Sequence, residues 1–303
     1  MEALSFTFID IFISVVLASI MFGLGLSLTI DNFKNIVLFP RAFFIGLSSQ
    51  MIVLPVIAFV LLLFSNLPDA FKVGIMILAA CPGGTTSGFV TFLLKGNVAL
   101  SISLTAVNSL LTIFTIPVIV NFALRYYMHQ DQDFYLPVIS TVIQIFLVTL
   151  LPASLGVLVR ILKPVFTQKL QNPLKYILII LLATVYSIKF FAGVNHGGTG
   201  ITLNEALMII PIAFLFNAIC FFFSIALGKL TSLAIRDAFT VAIELSLHNT
   251  TLALLIAGTI IRNQEMAKPA LVYSMFSFWT AVLFGIITKY VYKKQFKEEQ
   301  APK

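Results

Sequence analysis

Two short stretches of this chain concentrate polar groups inside otherwise apolar runs. The first is Cys81-Pro82-Gly83-Gly84-Thr85-Thr86-Ser87-Gly88. Proline lacks a backbone donor and crowds the turn before it. Paired glycines accept dihedrals that other residues resist. A helix should stop here and restart near Thr85, offering free N–H groups and a positive dipole end. The hydroxyls of Thr85, Thr86 and Ser87 would stand beside them, making a seat for an anion. A plain proline kink is the blander reading, and the two glycines with three hydroxyls favour the seat.

The second stretch is Glu244-Leu245-Ser246-Leu247-His248-Asn249-Thr250-Thr251. Glu244 is an acid deep in an apolar run, whereas Asp10 and Asp237 lie nearer run ends. A charge at that depth costs about 2.5–3.5 kcal/mol even on lenient insertion scales, so such groups normally serve an ion or proton path. A protonated structural glutamate is the alternative. His248 follows four residues later and would share its helix face if that turn stayed helical. It reads equally as a packing histidine or as an ion-site neighbour and proton carrier. Gln50 and Asn217 are further buried amides, expected to hydrogen-bond the interrupted helices. Ser101, Ser103, Thr105 and Asn108 mark one polar stretch, read as interhelical glue or as oxygen ligands for a hard cation.

The elements that must carry these groups are membrane helices. The chain is 59% hydrophobic and 10% charged, against about 25% charged for a water-soluble domain. Its apolar runs approach the ~20 residues needed to cross a bilayer. Nine spans are expected: 7–29, 40–64, 71–94, 97–124, 134–162, 174–194, 203–230, 237–261 and 267–292. The first reads as a span rather than a signal peptide. Basic residues favour one side, with Lys72, Arg125, Lys189, Arg262 and Lys268 assigned to the poorer side. That bias sets the N-terminus outside and a charged tail in the cytoplasm of a plasma-membrane protein. The +7 charge is explained by this topology, so nucleic acid is not expected as a partner. Cys81 and Cys220 lie in apolar runs and suggest no disulfide.

Spans two to four and seven to nine each hold an amide-bearing span followed by an interrupted one. Span eight follows span three by an odd offset, so the second copy would be inverted. Inverted repeats with interrupted helices point to a secondary transporter. An intramembrane enzyme built on Ser246, His248 and Glu244 is disfavoured, because no catalytic signature accompanies them. A channel would show flux that does not saturate.

At these residues the chain resembles the bile acid:sodium symporter family. The likeness rests on Phe22-Gly23-Leu24-Gly25-Leu26, Cys81 to Ser87, Gly96-Asn97-Val98-Ala99-Leu100-Ser101, Glu244 with Asn249, and Phe276-Ser277-Phe278-Trp279. It implies an all-α membrane protein with nine transmembrane helices, an inverted repeat, and two broken helices crossing in a core domain beside a panel domain. Panel helices would lie in 1–33 and 127–198. The core halves would be 34–126, with broken helix 71–94, and 199–294, with broken helix 237–261, leaving 295–303 as tail.

The resemblance further implies two sodium ions. One site would use Ser87, Ser101, Thr105 and Glu244. The other would use Gln50, Glu244, the backbone of Leu245 and Leu247, and His248. Thr85 and Asn249 would face the substrate, with Thr86, Thr250 and Thr280 as further candidates. Two positions depart from the family pattern: Gly88 stands in place of asparagine and His248 in place of glutamine, removing one amide from each site. The expected function is cation-coupled symport, with sodium as the cation, of an organic anion such as a bile-acid-like or small carboxylate substrate. It would work by alternating access as a monomer in the bilayer. A proton-coupled or uncoupled transporter using Glu244 and His248 is the alternative.

Overall fold

The computed structural model describes residues 2–29, 40–128 and 137–300. Among them every regular element is helical. In chain order they are α1 (Glu2–Ser27), α2 (Pro40–Leu63), α3 (Asp69–Ala80), α4 (Thr85–Leu93), α5 (Val98–Met128) and α6 (Val138–Leu162). There follow α7 (Pro164–Phe191), α8 (Leu203–Leu230), α9 (Ile235–Ser246), α10 (Thr250–Ile260), α11 (Gln264–Val291) and α12 (Lys293–Gln300). Among the described residues six helices are long and apolar enough to cross a membrane, and α7, bent by 49° around Pro173, makes a seventh. The junctions expected near residues 33 and 134 lie outside the described residues.

The pairs α3/α4 and α9/α10 differ in kind. Each half is too short to cross ~30 Å at ~1.5 Å per residue. The first pair breaks where the sequence demands it. Cys81 turns extended, Pro82 and Gly83 follow, and Gly84 sits at φ −117°, ψ −177° before α4 begins. The second break holds neither proline nor glycine. Leu247 turns to φ −116°, ψ 100°, and Asn249 caps α10 by accepting from the Leu252 N–H at 3.0 Å.

The two breaks join each other. Gly83 and His248 form an antiparallel bridge, and the Asn249 N–H donates to the Pro82 carbonyl at 2.8 Å. Backbone groups freed by one interruption thus satisfy those freed by the other, as they must where water is excluded.

Around this junction the helices pack by shape. α1 crosses α6 at Gly25 and Gly156, where a Cβ on either would strike the facing backbone. Such close approach is how membrane helices gain contact without a hydrophobic drive between them. α7 also packs on α1, while α3 packs between α5 and α11. Large apolar side chains such as Phe64, Ile139 and Trp279 are exposed, as a lipid-facing surface requires. Asn97 ties the α4–α5 turn to α9, its amide donating to Asp237 and its N–H to Thr240, both at 2.8 Å.

The start of the charged tail packs back on α9: Glu299 of α12 accepts from the N–H groups of Ile235 and Arg236, capping α9, and Phe296 is buried against Phe239. Lys189 and Lys268, both within expected spans, are buried inside helices. Lys268 lies buried in α11, paired with Glu205 at 2.7 Å and Glu265 at 2.6 Å. Lys189 lies wholly buried in α7. Short-range charge counting cannot see such partners.

Candidate functional site

Glu244 sits near the end of α9 with no solvent exposure. Its carboxylate accepts a short hydrogen bond from Ser101 Oγ on one oxygen. Thr105 Oγ1 donates to the other at 2.9 Å. Ser101 and Thr105 lie one turn apart on α5, so one helix face supplies both hydroxyls. Gly83 of the first break packs directly on Oε2, and any side chain there would collide with it. Ser87 stands beside the same carboxylate, its hydroxyl donating to the Gly84 carbonyl at 2.6 Å. The bonds Glu244 receives therefore come from hydroxyls, each worth about 1.5–3 kcal/mol to a charged acceptor. Those bonds offset part of the burial cost of the carboxyl group, and among the described residues no cationic side chain pairs with it.

Behind the second break, Asn217 of α8 donates to the Ser246 carbonyl at 2.8 Å and to Tyr273 Oη at 2.7 Å. Tyr273 donates to that carbonyl at 2.6 Å, and Thr280 Oγ1 donates to Asn217 Oδ1 at 2.8 Å. This network holds the last turn of α9. Asn217 thus has the role expected of it. Gln50 does not: it pairs with Asn108 of α5 rather than with an interrupted helix.

Beside the junction lies a cavity of about 730 Å³. Its polar end is formed by Gly84 and Thr86 at the start of α4 and by His248 to Thr251 at the start of α10. Its walls are mainly apolar, including Ile20, Met21 and Leu24 of α1 and Leu178, Leu182 and Tyr186 of α7. Among the described residues no charged side chain lines it. Tyr186 reaches across and forms a short hydrogen bond with Thr250.

The expected site residues therefore separate. Ser87, Ser101, Thr105 and Glu244 come together, with Gly88 alongside, where an ideal Cβ would lie 3.8 Å from Ser101 Oγ. Thr86, Asn249 and Thr250 line the cavity. Thr85 opens α4, and its side chain lies outside the described residues. Thr280 faces Asn217 and is not among the cavity residues.

The second expected cation set is arranged differently. Among the described residues no hydrogen bond links Gln50 or His248 to Glu244. His248 stacks flat on Phe216, with centroids 5.5 Å apart, and faces the Cys81 carbonyl without closing a hydrogen bond of ordinary geometry. Leu245 and Leu247 are buried in the turn that carries Glu244. Tyr186 carries no local signal in the sequence, being a tyrosine in an apolar span, whereas Lys189 is visible as a lysine within an apolar run.

The sequence pattern described as the Sodium Bile acid symporter family matches residues 14–196. The chain belongs to this family. An "Uncharacterized sodium-dependent transporter", YocS of Bacillus subtilis, is 30% identical over 296 residues, covering 98% of this chain and 87% of the relative. The "Ileal sodium/bile acid cotransporter" of Mus musculus is 26% identical, covering 92% of this chain and 79% of its own length. The "Probable sodium/metabolite cotransporter BASS1, chloroplastic" of Oryza sativa is 27% identical over 88% of this chain and 63% of its own. The family member described here is a multi-pass membrane transporter, not an enzyme.

Proposed function

We propose that this transporter couples inward movement of sodium to symport of an organic anion by alternating access. The carrying observation is that the buried Glu244 cluster and the mainly apolar cavity meet at the same pair of helix breaks, where Gly83 packs on the carboxylate and Gly84 lines the cavity. A carboxylate with hydroxyls is an all-oxygen donor set, which suits a hard cation. Glu244, Ser87, Ser101 and Thr105 would hold sodium there, with the Gly88 carbonyl as a further oxygen. Sodium is the cotransported ion, and its arrival supplies the positive charge that Glu244 lacks.

The set around Gln50 and His248 fits sodium poorly, since an imidazole offers nitrogen and Gln50 is engaged by Asn108. One sodium per cycle is therefore the reading favoured for this chain. The anion's head would sit at the α4 and α10 N-termini near Thr86, Asn249 and Thr250, with its apolar body against α1 and α7. An uncharged wall favours a monoanion over a polyanion.

Counting each interrupted pair as one span gives nine. The triplets α2–α3/α4–α5 and α8–α9/α10–α11 would then form an inverted-repeat core, and α1, α6 and α7 the panel. The protein would act as a monomer in the plasma membrane with its N-terminus outside. The deciding measurement is thermal stability in sodium versus choline chloride at equal ionic strength, with Glu244→Gln as control. Sodium-specific stabilisation absent from the variant is the expected result. Equal stability in both salts, with uptake driven by a pH gradient, would replace sodium with a proton.

A further inference from the structure

Lys189 is a fully buried ammonium that the proposed cycle does not use. A charge inside a membrane helix is costly and functional by default. Its Nζ donates to Gln264 Oε1 of α11 at 3.2 Å and lies over Gly258 of α10. Asp10 of α1 is close enough to feel its charge, and accepts from Thr259 Oγ1 of α10 at 2.9 Å. The segment after α7 closes over this cluster. Thr199 donates twice to the Lys189 carbonyl at 3.0 Å, and Gly197, at φ 78°, seats the segment on Ile9.

These bonds join α1 and α7 on one side to α10 and α11 on the other. Along α1 and α10 they also lie beyond the cavity. The cavity touches α1 from Ile20 to Ser27, and Asp10 is ten residues back, about 15 Å at helical rise. It touches α10 at Thr250 and Thr251, and Thr259 is eight residues on, about 12 Å. On α7, Lys189 is one turn past Tyr186.

We infer that Lys189, with Asp10, Thr259 and Gln264, is the polar latch that holds the cleft shut beyond the cavity. The inference rests on the alternating-access reading. Exposing the site to the other side separates the two helix groups, and that separation must break these bonds and hydrate both charges. The latch therefore biases the equilibrium between facing states through contacts present in one of them.

Two reporters on α1 test this: Ser14→Cys, one turn from Asp10, and Ser27→Cys, at the cavity. Both would be labelled in proteoliposomes with a membrane-impermeant thiol reagent, using the parent with buried Cys81 and Cys220 as background. Lys189→Met is expected to raise labelling at position 14 about tenfold and lower it at position 27. Gln264→Glu, which strengthens the contact with Lys189, is expected to do the reverse, so the inference does not depend on a variant that merely loosens the fold. Increased labelling at both positions in Lys189→Met, or no change in either variant, overturns the latch. If sodium plus taurocholate never shifts the two reporters in opposite directions in the otherwise unaltered protein, alternating access fails, and the latch with it.

Discussion

At the scale of single residues, Glu244 and Gly83 are a matched pair. The carboxylate occupies the space that a side chain at 83 would need. Gly83→Ala is therefore expected to overpack the junction, lowering stability by about 1–3 kcal/mol in thermal or denaturant unfolding. Gly88 is the contrasting glycine, because a Cβ there would make only ordinary van der Waals contact, 3.8 Å from Ser101 Oγ. Gly88→Asn would add an amide oxygen beside the cluster. Its expected outcome is a several-fold lower sodium concentration for half-maximal stabilisation or uptake, and an unchanged value would place the cation elsewhere. Ser101→Ala should act in the opposite sense, since it removes one of the hydroxyls that meet the carboxylate.

Among the elements, the short helices α4 and α10 form the polar end of the cavity. Each begins inside the protein, so its free N–H groups and dipole end face the site rather than bulk water. Asn249 both caps α10 and lines the cavity. Asn249→Ala should cost about 1 kcal/mol of stability from the lost cap. It should also raise the half-saturating concentration of a transported anion more than it lowers the maximal rate. A pure stability loss without change in apparent affinity would confine Asn249 to capping. α12 makes a separate contribution. Glu299→Ala removes the cap on α9 and should lower stability by about 0.5–2 kcal/mol while leaving sodium dependence intact.

Over the whole molecule, the proposed cycle divides its work between the buried Glu244 cluster and the cavity beside the junction. With no charged side chain on the described cavity walls, a second negative charge on a ligand would be buried without a partner, which is expensive. Monocarboxylates or monosulfonates with apolar bodies are accordingly expected to compete for uptake far better than dicarboxylates of equal size. Equal competition would point to a cationic group entering the site in another state.

The sequence by itself determined the solvent, the first break and the chief suspect. Long apolar runs can be stable only in lipid, Pro82 with Gly83 and Gly84 cannot continue a helix, and Glu244 is conspicuous because charge at that depth is costly. Each of these is a local property, fixed by backbone sterics or by transfer out of water. The second break is different: Leu247 and His248 are tolerable helix residues, and the helix stops there because the Asn249 N–H goes to Pro82 and the Ser246 carbonyl to Asn217 and Tyr273. The same holds for the partners of Glu244, which come from α5 some 140 residues away, for the pairing of Gln50 with Asn108, and for Lys189 reaching Gln264. Hydrogen bonds between segments far apart in the chain leave no spacing to read, so only the tertiary structure could decide which polar groups meet.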